Sequence, residues 1–111
     1  MGVKLLLNSA SGFALASLSN YFMHQLRLKI YGNVQGVGFR YWARNQAKAL
    51  GLAGFCRNEA DGTVTILAQG KQKDLDKFLK MCYDGPSFAQ ITHVTPEWEE
   101  AGEHFKTFEI L

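Results

Sequence analysis

Cysteine is scarce in this chain of 111 residues, and its charge is nearly balanced. The two cysteines, Cys56 and Cys82, form no CxxC pair, and with three scattered histidines they complete no zinc-binding pattern. Buried, unreactive thiols are the expected state of both, and spacing alone does not argue a disulfide between them. The 12 basic and 10 acidic residues give a net charge of +2, unlike the strongly basic balance of a general nucleic-acid binder. The charge balance therefore predicts no nucleic-acid partner, but it leaves room for a local anion site.

The chain also lacks repeats, low-complexity tracts and any long unbroken apolar run. Its first 22 residues begin like a secretory signal, with Lys4 before three leucines, but Asn8 and Ser9 interrupt the apolar run and no convincing small-residue cleavage site follows. The segment is also too short and too polar to span a bilayer. We therefore expect residues 1–22 to be an extension without a catalytic role: a tag, an upstream start or a loosely docked arm, with a targeting segment as the alternative. Residues 23–111 are expected to form one cytoplasmic domain without a membrane partner.

Hydrophobic periodicity predicts the first half of that domain. The segment LRLKIY alternates apolar and polar residues from Leu26, which is typical of a half-buried strand. After a glycine-rich stretch, FRYWARNQAKAL has apolar residues at helical spacing, and Gly51 follows where a helix should end. LAGFCRN and GTVTILAQG read as two further strands joined by NEADG, whose Asp-Gly pair is typical of an antiparallel hairpin.

The second half repeats a helix and a strand. KDLDKFLKMC has helical spacing and is stopped by Asp84 to Pro86, and a fourth strand lies within FAQITHV. Pro96 predicts that this strand is at a sheet edge, because proline donates no hydrogen bond to a ladder. FKTFEIL closes the chain as a short strand. The order predicts an α+β ferredoxin-like sandwich (βαββαβ), with an antiparallel sheet of four to five strands and two helices on one face.

The stretch between the first strand and the first helix, Gly32 to Gly38, is a candidate anion site. Free amides and the dipole make a helix start partly positive, and glycines let successive amides curl around an anion. Arg40 can add a planar guanidinium fork that matches two phosphate oxygens. The structural alternative is a wide turn with Arg40 on the helix surface. Neither GxxxxGK[ST] nor GxGxxG is present, which argues against nucleotide binding.

An RNA-recognition domain is a competing interpretation, because it shares the element order and because GVGFRYW superficially resembles its glycine-aromatic signature. That signature belongs on the third strand. Here the third strand contains TVTILA, which has no aromatic residue, so the interpretation fails on position.

The motifs GNVQGVGFRYW and GFCRNEADGTV together resemble the two signatures of the acylphosphatase family. The resemblance covers about Leu26 to Leu111. It implies hydrolysis of small acyl phosphates to carboxylate and inorganic phosphate, without a cofactor or a metal. Arg40 matches the essential phosphate-binding arginine, and Asn58 matches the asparagine that orients the attacking water. The residues whose loop amides match those that hold phosphate are Gly32, Asn33, Val34, Gln35, Gly36 and Val37.

The resemblance leaves several expectations for the structure to address. Asn58 alone would suit a plain turn residue, and Thr63 is expected to support it through a hydrogen bond. Glu59, Asp61 and Lys29 are expected to be turn and solvated-face residues. The partners implied are a small acyl phosphate and an inorganic phosphate or similar anion in the loop, and a monomer is expected. The alternative function is a non-catalytic phosphate- or phosphoprotein-binding module of the same fold.

Overall fold

The computed structural model describes residues 23–111, so the predicted N-terminal extension, residues 1–22, lies outside the described residues. The elements follow the predicted order. In chain order they are β1 (His24–Asn33), α1 (Phe39–Ala49), β2 (Ala53–Asn58), β3 (Val64–Gly70), α2 (Gln72–Asp84), β4 (Gln90–Glu99) and β5 (Phe108–Ile110). Both helices end close to the residues predicted from Gly51 and from the Asp84 to Pro86 stop.

The five strands form one sheet in the order β4-β1-β3-β2-β5. β1 and β3 pair antiparallel in the centre, and β2 pairs antiparallel with β3 as the predicted hairpin. β4 is an edge strand, which confirms the position inferred from Pro96. The sheet is mixed rather than wholly antiparallel, because β5 pairs parallel to β2. The chain reverses once between β4 and β5 and crosses to the opposite edge, so β5 runs in the same direction as β2.

Both helices pack on one face of the sheet and share a single hydrophobic core with it, which confirms the ferredoxin-like architecture. The register sets Leu26 opposite Ala68, Leu28 opposite Ile66 and Ile30 opposite Val64, and all six side chains are buried. The buried residues that the helices add are Phe39, Ala43 and Ala47 from α1 and Leu75, Phe78 and Cys82 from α2. This core holds the start of α1, which contains part of the first sequence motif, against the end of β2, which contains part of the second.

The opposite face of β3 is also buried, which alternation along the strand did not predict. Thr65, Leu67 and Gln69 are all shielded from solvent. Gln69 is held by the segment after β4, because its side-chain amide donates to Gln25 and to the carbonyl of Glu103, and its oxygen accepts from the amide of Phe105. Burial of an amide is tolerated here because its polar atoms are hydrogen-bonded.

Two further predictions concern cysteine and the membrane. Cys56 and Cys82 are both buried and free, as expected of unreactive thiols. Within residues 23–111, no helix combines the length and the apolar character needed to cross a bilayer.

Candidate active site

The glycine-rich loop is shorter than the sequence predicts. β1 continues through Gly32 and Asn33, which pair with Ile91 and Gln90 of β4 after a register shift at Tyr31. The predicted loop boundary at Gly32 is therefore wrong, and the loop proper runs from Val34 to Gly38. The strand extends because β4 reaches alongside these residues, a contact that local sequence does not reveal.

The loop curls into the start of α1. Gly36 and Gly38 both adopt left-handed backbone conformations, with φ of 76° and 84°. Gly38 is the residue before the helix and no side chain from residues 23–111 caps it, so within this part of the chain the first amides of α1 stay open to an incoming anion. The first turn contains Arg40 and no acidic residue. A cavity of about 210 Å³ lies at this point, and it is lined by Val34, Gly36, Gly38, Phe39, Arg40 and Tyr41.

Arg40 is partly buried and is oriented by Leu111. Its Nη1 donates to the main-chain oxygen of Leu111 at 2.8 Å. Leu111 is fixed in turn, because its amide donates to the carbonyl of Cys56 on β2 at 2.9 Å. The guanidinium is thus braced at the cavity with further N–H groups left for an anion. This brace joins residues 71 positions apart, so no local sequence pattern predicts it.

Asn58 is the last residue of β2 and pairs with Val64 of β3. Its side-chain Oδ1 is buried, yet it accepts no hydrogen bond from any residue between 23 and 111. An unpaired buried acceptor is costly, so this group calls for an explanation, and a bound water molecule or a catalytic role would provide one. The predicted support from Thr63 is wrong, because the Thr63 hydroxyl donates to Asp61 at 2.6 Å instead.

One side chain joins the loop to the turn that follows Asn58. Nε2 of Gln35 donates to the carbonyl of Glu59 at 2.7 Å and to the carbonyl of Thr63 at 2.9 Å. The family motif implies only a backbone-amide role for Gln35, so this side-chain bridge was not predicted. The available signal was an amide side chain at the centre of a loop otherwise made of glycine and small apolar residues.

The open face of the same turn carries a set of ion pairs. Lys29 contacts Asp61 at 3.0 Å, and Arg57 contacts Glu59 at 3.1 Å. Hydrogen bonds from the hydroxyl and the amide of Thr63, and then from Lys29, hold the pKa of Asp61 well below its usual range. The hydroxyl of Thr65 and then Arg57 lower the pKa of Glu59. Glu59, Asp61 and Lys29 are thus turn and surface residues, as predicted.

Two larger concavities lie elsewhere on the sheet. One, of about 430 Å³, contains Arg27, Lys29 and Arg57, but each of these cations is already paired with a carboxylate. The other, of about 460 Å³, lies between β5 and the segment before it and is mainly apolar. The small cavity at α1 is the one that combines an open helix start, left-handed glycines and a braced arginine, so it is the better candidate for an anion.

The histidines and cysteines within residues 23–111 are the candidates for metal ligands and for reactive groups. Across residues 23–111, no three His, Cys, Asp or Glu side chains are grouped in a way that could hold a metal ion. His93 stacks on the ring of Tyr31 at 3.8 Å, which is a packing role. Cys56 donates weakly to the carbonyl of Arg40, and burial raises the pKa of its thiol to about 11 although Arg40 and Arg44 oppose the shift. At neutral pH this thiol is therefore protonated.

Comparison with known proteins identifies the family of the chain. A family model described as acylphosphatase matches residues 26–110. An acylphosphatase of Acaryochloris marina is 43% identical over 86 residues, which cover 78% of this chain and 91% of the relative. An acylphosphatase of Archaeoglobus fulgidus is 42% identical over 88 residues, which cover 79% of this chain and 98% of the relative. The crystal structure of acylphosphatase from Bacillus subtilis superposes with a TM-score of 0.76 at 34% identity, covering 81% of this chain and 99% of that structure. The chain therefore belongs to the acylphosphatase family, enzymes that hydrolyse acyl phosphates.

Proposed function

We propose that the chain hydrolyses the carboxyl-phosphate bond of small acyl phosphates without a metal, with Arg40 and the loop holding the phosphoryl group and Asn58 holding the attacking water. The observation that carries these roles is the Oδ1 of Asn58, which has no hydrogen-bond partner within residues 23–111 and lies at the end of β2, directly before the turn that Gln35 ties to the loop. An anion site and an unused water acceptor are thus held by one framework.

The phosphoryl group binds at the 210 Å³ cavity. Its oxygens accept hydrogen bonds from the amides of Val34 to Val37 and of the first turn of α1, where the helix dipole favours negative charge. The guanidinium of Arg40 adds a charged fork for two oxygens. Contacts from Gly32 and Asn33, which lie in β1, remain a prediction from the family motif.

Asn58 acts on water by position. Its Oδ1 accepts a hydrogen bond from a water molecule and orients the water oxygen toward phosphorus. An amide is no useful base, so the water gives its proton to a phosphate oxygen of the substrate as the new P–O bond forms. The bond from phosphorus to the carboxyl oxygen breaks and its electron pair leaves with the carboxylate.

Beyond these contacts, the reaction requires few other groups of the protein. A carboxylate is a stable leaving group, so no general acid needs to protonate it. What remains is positioning and neutralisation of charge, the main contributions in phosphoryl transfer. The guanidinium and the helix start supply that positive charge, which is why we expect turnover without a bound metal ion.

An assay with a synthetic aromatic acyl phosphate tests the proposal. We expect rapid hydrolysis that a chelator leaves unchanged. Arg40→Gln and Asn58→Ala should each lower kcat/KM by about 10²-fold or more, as does loss of a positioned stabilising group, while circular dichroism shows a folded domain. Matched controls are Arg27→Gln, whose side chain pairs with Glu99, and Asn45→Ala on the exposed face of α1. Both controls should keep full activity.

Three other outcomes would contradict parts of the proposal. Near-normal hydrolysis by either Arg40→Gln or Asn58→Ala would contradict the assigned roles, and loss of turnover with the chelator would contradict metal independence. Phosphate binding without turnover would instead indicate a binding module.

We also propose that the domain acts as a cytoplasmic monomer. β1, the loop, α1 and β2 supply every assigned site residue from one chain, so a second copy is not needed to complete the site. Both thiols are unpaired, which suits a reducing compartment. Sedimentation at several concentrations should give the mass of one chain, and thiol-disulfide analysis of protein isolated from its host should find both cysteines reduced.

A further inference from the structure

Gln35 makes a bridge that the assigned roles do not use. Its two Nε2 hydrogens are directed to two different acceptors, the carbonyls of Glu59 and Thr63. Gln35 belongs to the phosphate loop, whereas both acceptors belong to the turn after β2, 24 and 28 residues further along the chain. One side chain therefore connects the two halves of the site.

The two acceptors lie at the two ends of the turn, next to the Asn58–Val64 pair. Glu59 directly follows Asn58, and Thr63 directly precedes Val64, the register partner of Asn58. The amide of Glu59 also donates to the carbonyl of Thr63 at 2.8 Å, which closes the turn. Gln35 thus holds the turn at both of its ends, immediately beside the Asn58–Val64 pair.

We propose that Gln35 is a positioning residue, which sets the distance and angle between the Asn58 side chain and the phosphoryl group in the loop. This inference rests on the proposed function. Two carbonyl acceptors require two N–H groups on one atom, which the Gln amide supplies and a Glu carboxylate does not. Asn is one methylene shorter and does not span the same gap.

The turn is braced independently on its other side, so Gln35 is not needed to fold it. Lys29 pairs with Asp61, and Glu59 is held by Arg57 and by the hydroxyl of Thr65. Loss of the bridge should therefore leave the turn formed but free to shift relative to the loop. A small displacement of a positioned group is enough to slow a reaction by one or two orders of magnitude.

The test is a double-mutant cycle between Gln35 and Asn58. Gln35→Ala and Gln35→Glu are made in the wild-type and the Asn58→Ala backgrounds, and kcat and the inhibition constant of inorganic phosphate are measured. We expect each Gln35 variant to lower kcat about 10-fold or more in the wild-type background, with phosphate inhibition changed by less than about 3-fold. In the Asn58→Ala background, the same changes should lower kcat by less than about 2-fold. Gln72→Ala, which removes an exposed amide that donates to Asp76 on α2, is the matched control and should match wild type.

Three results would overturn the inference. They are unchanged kcat in Gln35→Ala, an equal loss of kcat with and without Asn58, and a loss of phosphate affinity as large as the loss of kcat. The last would place the Gln35 side chain in phosphate binding instead. Failure here is distinct from failure of the proposed function, because Arg40→Gln and Asn58→Ala test that function without any change at Gln35.

Discussion

Two glycines of the first motif, Gly32 in β1 and Gly36 in the loop, serve different purposes. Gly32 has φ of 128°, and a side-chain carbon at this position would overlap the carbonyl oxygen of Gln90 on β4. Gly36 also has a positive φ, but a side-chain carbon there would meet open space. Gly32 therefore permits close approach of two strands, whereas Gly36 permits the curl of the loop.

This difference predicts unequal effects on stability. Gly32→Ala should lower the free energy of unfolding by about 3 kcal/mol, because left-handed strain and backbone overlap add together. Gly36→Ala should cost about 1 kcal/mol, because it carries the strain alone. Urea denaturation of both variants measures the difference, and equal losses would contradict the explanation.

Arg40 is predicted to act through the shape of its guanidinium as well as its charge. Arg40→Lys keeps the positive charge but loses the fork that can hold Leu111 and an anion together. We expect kcat/KM to fall by about 10²-fold, close to the loss in Arg40→Gln. Arg44→Lys, on the same helix with its guanidinium over the ring of Tyr41, is the control. Activity of Arg40→Lys near wild type would show that charge alone suffices.

The turn between β2 and β3 is held from two sides. Gln35 holds it from the loop, and two ion pairs hold it from the open face. The hairpin turn could be predicted because Asp61 and Gly62 are adjacent in sequence. The contacts that hold the turn could not be predicted, because Lys29 and Gln35 come from a distant part of the chain.

The low pKa of Asp61 predicts how the turn responds to acid. A carboxyl whose pKa is lowered by folding stabilises the native state above its unfolded pKa of about 4, and this stabilisation is lost as the pH falls through the folded value. Unfolding free energy should therefore fall below about pH 4. Asp61→Asn should be less stable than wild type at pH 7, and the difference should shrink as the pH is lowered.

A series on the same residue checks the cause. Thr63→Val removes the hydroxyl donor to Asp61 but keeps the backbone donor, so it should show a smaller version of the same change. Denaturation curves at pH 7, 4 and 3 give the comparison. A constant difference between Asp61→Asn and wild type at all three would contradict the assigned linkage.

The core that unites the sheet and both helices also shields the two thiols. Cys56 faces α1 from β2, and Cys82 lies on α2, and neither side chain is exposed. Burial raises the pKa of both, so the reactive thiolate is scarce as well as hidden. Reaction at either thiol should therefore require opening of the whole domain.

Thiol labelling at pH 8 measures that opening. We expect both cysteines to react at least about 10³-fold more slowly in the native protein than in denaturant, and to become reactive together along the urea transition. Inorganic phosphate should slow native labelling further if it binds the folded loop. Fast native labelling of either cysteine would contradict a single cooperative core.

Much of the fold could be predicted because its signals are local. Leu26, Leu28 and Ile30 alternate along one strand, so their shared burial follows from the period of a strand. Pro96 by itself predicts an edge strand, because proline has no N–H to donate to a neighbouring strand. The parallel pairing of β5 and the burial of Gln69 could not be predicted, because they depend on how the chain returns after β4.

The sequence by itself determined the order of the elements, the face of each that enters the core, and the two motifs that place the chain in its family. These depend on residues within about one turn or one strand of each other. Only the tertiary structure decided how those motifs are held: Arg40 donates to Leu111, Gln35 donates to Glu59 and Thr63, and Oδ1 of Asn58 accepts no hydrogen bond within residues 23–111. The physical reason is that the acceptors of Arg40 and Gln35 are main-chain oxygens, which every residue carries, so the side chain that reaches each of them is known only once the chain has folded.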